Sequence, residues 1–233
     1  MNIKILNLLE GAKEATGLAV IIDVFRAFTV EAYLIHNGAD RVFPVGEKEI
    51  AYEYKRQDPD CILIGERHGR ILPGFDYGNS PSQIKNVDFT GKTVIHTTSA
   101  GTQGIANAAK AEEIITGSLV NARAIAAYIK QRDFREVSLV CMGLDAKVPI
   151  EEDTLCAVYI KSLLEGTQID LPAEIENLKA TSGKKFFDEA LQDVFPKEDF
   201  HLSTEADIFP FVLKVETGER ENCKLIRKID VTY

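Results

Sequence analysis

The chain has few cysteines, no long apolar run, no basic stripe and no glycine fingerprint for nucleotide phosphates. Each absence removes a class of function. Its 233 residues hold four cysteines, Cys61, Cys141, Cys156 and Cys223, and none forms a C-x-x-C pair. They read as reduced, buried thiols of a cytosolic protein, not as a disulfide framework or a zinc site. No stretch reaches the roughly 18 apolar residues of a membrane-spanning helix. The opening MNIKILNLLEGAKEATG lacks the unbroken apolar core of a signal peptide. The expected location is therefore cytoplasmic, with no membrane partner. The formal charge is −9 and no Lys/Arg stripe is present, which argues against nucleic acid. A local basic pocket for a small anion remains compatible with that charge. Neither G-x-x-x-x-G-K-[ST] nor G-x-G-x-x-G occurs, so P-loop and dinucleotide-dependent oxidoreductase readings fall behind.

What is present is ordinary globular composition, 45% apolar and 27% charged, in a chain long enough for a large core. Apolar runs predict strands at 3–8, 17–23, 41–45, 61–66, 92–98, 112–118 and 136–143. Periodic stretches predict helices at 27–38, 47–60, 99–111, 119–132 and 151–166. This alternation predicts an α/β fold with three α/β/α layers around a mainly parallel, mixed sheet. Residues 170–233 depart from the alternation as a distinct C-terminal subregion of one domain. They predict helical stretches around 171–195, then an antiparallel hairpin of 209–216 and 222–231 about a Gly218-Glu219-Arg220 turn. No repeat at fixed period is present, and a homo-oligomer is compatible with this composition.

Ligands of open α/β sheets bind beyond the carboxyl ends of the strands. The second strand ends on VIIDVFRAFT, which delivers Asp23 and Arg26. The others deliver Glu66, Arg67 and His68; Thr98, Ser99, Gly101 and Thr102; Ser118 and Asn121; and Glu151, Glu152 and Asp153. If these ends share one edge, acids, arginines and hydroxyls converge there. TTSAGTQG reads as an anion loop, with small residues that free backbone N–H groups at a helix start. Plain helix capping is its other reading. Asp23, Glu66, Asp76, Glu152 and Asp153 are candidate oxygen ligands for magnesium. Helical geometry turns Glu152 and Asp153 about 100° apart, which predicts that one of the two faces the site. Arg26, Arg67 and Arg70 suit phosphate or sulfonate oxygens. Residues 67–86 form a long loop of the kind that carries function. Cys61 and Arg67 stand in C-x5-R spacing, but the five residues between them form a strand rather than an anion cradle. Thiol phosphatase chemistry is therefore rejected.

DVFRAFT, GER, GFDYGNSP, TTSAGT, GSLVNA, EEDTLCA and FPFVLKVE follow one another in that order. Together they resemble the 2-phosphosulfolactate phosphatase (ComB-like) family over the whole chain. The resemblance implies magnesium-dependent hydrolysis of 2-phospho-3-sulfolactate to 3-sulfolactate and phosphate, a step of coenzyme M biosynthesis. It places Asp23, Arg26, Glu66, Arg67, Asp76, Asn79, Ser80, Thr98, Gly101, Thr102, Ser118, Asn121, Glu152 and Asp153 on family motif positions. The chain departs from the usual motif at Ser99-Ala100, within the anion loop.

Two classes of function follow. One is a Mg²⁺-dependent phosphatase of a small, doubly anionic substrate, either phosphosulfolactate or another phosphorylated acid. Asp23 and one of Glu152 and Asp153 would hold the ion, with Glu66 as a third candidate. Arg26 and the N–H groups of 99–102 would hold the phosphoryl group, and Arg67 or Asn79 the second anion. Asp23 is either ligand or nucleophile. The other class is a non-catalytic module that binds a phosphorylated metabolite on the same loop.

Overall fold

The computed structural model describes residues 1–218 and 223–232. Its strands are β1 (Asn2–Asn7), β2 (Leu18–Ile22), β3 (Arg41–Pro44), β4 (Ile62–Arg67), β5 (Arg70–Ile71), β6 (Thr93–Thr97), β7 (Glu113–Gly117), β8 (Glu136–Cys141), β9 (Phe211–Thr217) and β10 (Lys224–Asp230). The helices are α1 (Leu8–Glu14), α2 (Ala27–His36), α3 (Lys48–Gln57), α4 (Pro81–Ile84), α5 (Gly101–Asn107), α6 (Ala122–Arg132), α7 (Glu151–Glu165), α8 (Leu171–Leu178) and α9 (Lys197–Thr204). The expected strands are all present within a residue or two at each end. Helices α1, α4 and α9 are additions, and strand β5 and helix α4 lie within the expected loop of 67–86. Glu219, Arg220 and Asn222 of the expected hairpin turn and strand lie outside the described residues.

All ten strands join one mixed sheet in the order β1-β8-β2-β7-β9-β10-β3-β6-β4-β5. The hairpin β9–β10 is not an appendage but the centre of that sheet. It pairs antiparallel with β7 on one side and with β3 on the other. Two parallel sets flank it, β1-β8-β2-β7 and β3-β6-β4. Three antiparallel steps separate β7 from β3, so the two sets run in opposite senses along the sheet. The expectation of one shared carboxyl edge is therefore corrected: the ladder assigns those ends to two edges.

The sheet curls enough to bring them together. Helix α5, which follows β6 in one set, lies on β2 of the other. A Cβ added at Gly104 would stand 2.6 Å from Ile21 Cγ2 and 2.5 Å from Met142 Sδ. Only a glycine permits that approach. The concave face holds one core shared by both sets: Ala19, Ile21 and Val140 from the first, Val42, Ile64 and Val94 from the second. Helix α2 fills its centre, buried from Ala27 to Leu34. On the convex face, α6 and α7 cover Leu18, Val20 and Ile22, and α3 covers Leu63 and Ile95. Alternate residues of the all-buried β2 thus serve two cores, as period-two side-chain geometry requires. These are the three expected layers.

The C-terminal helical segment between α7 and β9 makes a fourth apolar cluster of Leu155, Leu178, Phe186 and Phe200, with Phe25 packed against it. The Phe25 and Phe186 ring centroids are 5.0 Å apart, edge to face. That contact seats the segment over the turn after β2.

Candidate active site

Four buried carboxylates meet where the two strand sets converge. Asp23 follows β2 directly, and its Oδ1 accepts the Ala27 N–H at 3.3 Å. Gly101 of α5 packs on the same carboxylate from the opposing set: a Cβ added there would stand 2.9 Å from Asp23 Oδ2. Glu66 ends β4; its Oε1 accepts the Ser99 N–H at 2.8 Å, and its Oε2 the Gly69 N–H at 2.7 Å. Asp153, in the first turn of α7, accepts the Val24 N–H at 2.9 Å and the Gly143 N–H at 2.8 Å. It thereby ties together the loops after β2 and β8. Glu152 beside it is fully buried, and neither of its oxygens has a hydrogen-bond partner among the described residues.

These charges raise one another. Burial, and then the neighbouring Glu66 and Glu152, push the Asp23 carboxyl up to about 7. Burial and the charges of Asp23 and Glu152 hold Asp153 well above the carboxylate range. Burial raises Glu152 too, against the opposing Lys185 charge. Such a cluster wants either protons or a cation.

A cavity of about 340 Å³ opens beside the cluster, in the size range of small-molecule sites. Asp23, Arg26, Glu66, Asn79 and Ser99 line it, with His68, Lys185 and Phe195. Asn79 is anchored by a buried chain: its Oδ1 lies 3.2 Å from His96 Nε2, and His96 Nδ1 lies 3.2 Å from Glu31 Oε1. Thr116 donates to the other Glu31 oxygen at 3.1 Å. That chain joins α2, β6 and β7 behind the cavity wall.

A match to the 2-phosphosulpholactate phosphatase family model spans residues 4–218. The chain belongs to that family. Its relatives agree. A probable 2-phosphosulfolactate phosphatase of Bacillus subtilis is 34% identical over 200 residues, 84% of this chain and 86% of the relative. One from Caldanaerobacter subterraneus is 33% identical over 212 residues, 85% and 88% of the two chains. One from Caldicellulosiruptor saccharolyticus is 39% identical over 149 residues, 62% and 61% of the two. The family is one of phosphoric monoester hydrolases.

The phosphosulpholactate phosphatase motif residues divide into wall and scaffold. Asp23, Arg26, Glu66, Asn79 and Ser99 reach the cavity. Arg26 reaches it fully engaged: its NH1 donates to Asp199 Oδ2 at 2.6 Å and to Val194 O at 2.9 Å, and its NH2 to Gly69 O at 3.3 Å. Arg67 does not line the cavity, because strand alternation turns it away from Glu66. Its guanidinium donates to Gly46 O and Thr97 Oγ1 at 3.2 and 3.1 Å. Asp76 accepts the Leu63 N–H at 2.8 Å and faces Lys55, away from the cavity. Ser80 donates to Asp199 at 2.8 Å. Thr98 and Thr102 brace one another through reciprocal N–H to Oγ1 bonds of 3.3 and 3.2 Å. Ser118 and Asn121 form a capping box, with the Ser118 hydroxyl 2.7 Å from Thr29 Oγ1. Both Glu152 and Asp153 are fully buried, one without a hydrogen-bond partner among the described residues and one clamped, and neither of them lines the cavity that one was expected to face.

The anion loop is the larger correction. Its N–H groups at Ser99 and Thr102 donate to Glu66 and Thr98, and Gly101 packs against Asp23. The anions it cradles are the protein's own carboxylates. The thiols take no part. Burial raises Cys61 and Cys141, and Cys141 Sγ rests 3.4 Å from Asp153 O.

Sequence reading missed Asp199 and Lys185, because both come from the segment without a βα pattern. Asp199 is fully buried in α9 and collects Arg26, the Ser80 hydroxyl and the Ser82 N–H. Phenylalanines clustered at 186, 187, 195 and 200 were the signal that this segment packs on something.

The donor type, carboxylate oxygen with one buried acid unpaired among the described residues, is that of a hard divalent cation site, while the spacing of the acids is not. All four acids offer oxygens only, their charges repel, and Glu152 has two oxygens with no other partner. Among the described residues, no three His, Cys, Asp or Glu side chains already converge at metal-holding spacing. Magnesium is commonly held by one or two carboxylates together with water and substrate oxygens.

Proposed function

We propose that this chain hydrolyses 2-phospho-3-sulfolactate to 3-sulfolactate and inorganic phosphate with Mg²⁺, in a coenzyme M-type biosynthetic step. The observation that carries the reading is a group of four buried carboxylates, two of which, Asp23 and Glu66, line a small cavity, in a chain of this family. A substrate bearing phosphate, carboxylate and sulfonate cannot approach four acids unless their charge is offset. A divalent cation would supply that offset.

In this reading Asp23 and Glu152 hold the ion, and Asp153 fixes the loops that present them. When bound, Mg²⁺ supplies Lewis acidity toward the phosphoryl oxygens. Asp23 Oδ1 already accepts the Ala27 N–H, and this reading gives Asp23 the ligand role rather than attack on phosphorus. Water is then the nucleophile. Its oxygen bonds to phosphorus as the ester P–O bond breaks, and Glu66, oriented by Ser99 and Gly69, accepts its proton. His68 stands at the cavity mouth, 3.2 Å from Asp145, and returns a proton to the leaving lactate oxygen. The Asn79 amide, held through His96, offers its N–H donors to the carboxylate or sulfonate.

Phosphate release from 2-phospho-3-sulfolactate, 2-phospholactate and 3-phosphoglycerate tests the assignment. Preference for the sulfonate by about tenfold or more is expected, the worth of one charged hydrogen bond. Equal or faster release from either other ester would move the assignment to another phosphorylated acid. Phosphate binding with no release from any of them would instead establish a binding module.

A further inference from the structure

Three basic side chains line the cavity: Arg26, His68 and Lys185. Two of them are committed. The Arg26 amino groups serve Asp199, Val194 O and Gly69 O. His68 is exposed and pairs with Asp145. Lys185 alone forms no hydrogen bond or ion pair with any described residue. Its ammonium lies 5.5 Å from the Phe186 ring centroid and 5.2 Å from that of Phe195. This aromatic sleeve fixes where the side chain ends without consuming its charge.

Behind the cavity wall lies the reverse case, the buried Glu152, whose two oxygens form no hydrogen bond among the described residues and feel the Ser182 hydroxyl beside Lys185. The two charges feel each other, since Glu152 opposes the depression that burial imposes on Lys185. They do not touch. A cation on the cavity wall and a buried carboxylate behind it, with no ion pair between them among the described residues, leave room for a ligand that satisfies both. A phosphoryl group with a divalent ion does so: its oxygens meet the ammonium, and the ion meets the carboxylate.

We propose that Lys185, carried to the cavity by the C-terminal segment, binds the phosphoryl group of substrate and product. The proposal rests on the phosphatase reading for its substrate but not for its test. It also gives the C-terminal segment a task, because neither parallel strand set supplies a free cation to the cavity.

The test is calorimetric titration of inorganic phosphate into the Mg²⁺-loaded wild type, Lys185→Met and Lys185→Arg. Methionine keeps the stem between Phe186 and Phe195, and unfolding midpoints check that each variant folds. Lys185→Met is expected to weaken phosphate binding roughly 10- to 100-fold, the range of a lost charge-assisted bond, with Lys185→Arg restoring most of it. Equal phosphate affinity in wild type and Lys185→Met would overturn the proposal while leaving the phosphatase reading intact. Lys185-dependent phosphate binding without any ester hydrolysis would support it and overturn the phosphatase reading. A wild type that binds no phosphate would overturn it outright.

Discussion

Asp23 answers why a buried strand ends on an acid: its position is bought at the cost of charge burial and repulsion. The consequence is measurable without any substrate. Its carboxyl titrates at about 7 in the folded protein, against about 4 in an unfolded chain. Between those values the folded state holds the extra proton, so the stabilisation is present below about pH 4 and is lost as pH rises to about 7. Metal-free wild type should therefore melt at a lower temperature at pH 8 than at pH 5. Asp23→Asn should shrink that difference, by a few kcal/mol at most. Thermal unfolding in EDTA at both pH values measures it, and an unchanged difference would contradict the burial argument. The acids themselves were legible in the sequence, because a charge directly after an apolar strand has few bland reasons to be there. Their partners were not. Nothing local in TTSAGT says that it faces Glu66 and Asp23 rather than a ligand.

At the scale of elements, the site depends on α9 as much as on any strand. The Arg26–Asp199 pair is buried on both sides, at 2.6 Å, and joins the turn after β2 to α9. Asp199→Ala would strand the guanidinium and should cost about 3–5 kcal/mol. It should also lower phosphate release, because the segment bearing Val194 and Phe195 loses its anchor on Arg26. Urea unfolding together with an activity assay checks both; an unchanged urea midpoint would deny the clamp. Asp199 and α9 could not be read beforehand. KEDFHLST is a short stretch with acids and a histidine, and its burial depends on Arg26, more than 170 residues away in the chain. Helix α1 escaped for a similar reason, since LLEGAKE spans seven residues around Gly11. The strands were legible because β2, β4, β6 and β8 are apolar runs buried on both faces. Their direction was not, since ladder sense comes from the order of strands in the sheet, which no local pattern encodes.

Over the whole molecule, the central hairpin β9–β10 inverts one parallel set relative to the other, and the curled sheet returns their carboxyl ends to a common point. The one-edge expectation was wrong in topology, yet it named acids that do meet. No helix among the described residues is long and apolar enough to cross a membrane. In the proposed reading, an acidic chain that binds a polyanion offsets charge locally, and a divalent ion at the carboxylates would do so. The most direct measurement is phosphate release from 2-phospho-3-sulfolactate by chelator-stripped protein, before and after Mg²⁺ is added. The account predicts no release in EDTA, and release restored by Mg²⁺ in wild type but reduced at least about a hundredfold in Glu152→Gln. Release that is indifferent to EDTA, or full Mg²⁺ rescue of Glu152→Gln, would contradict it.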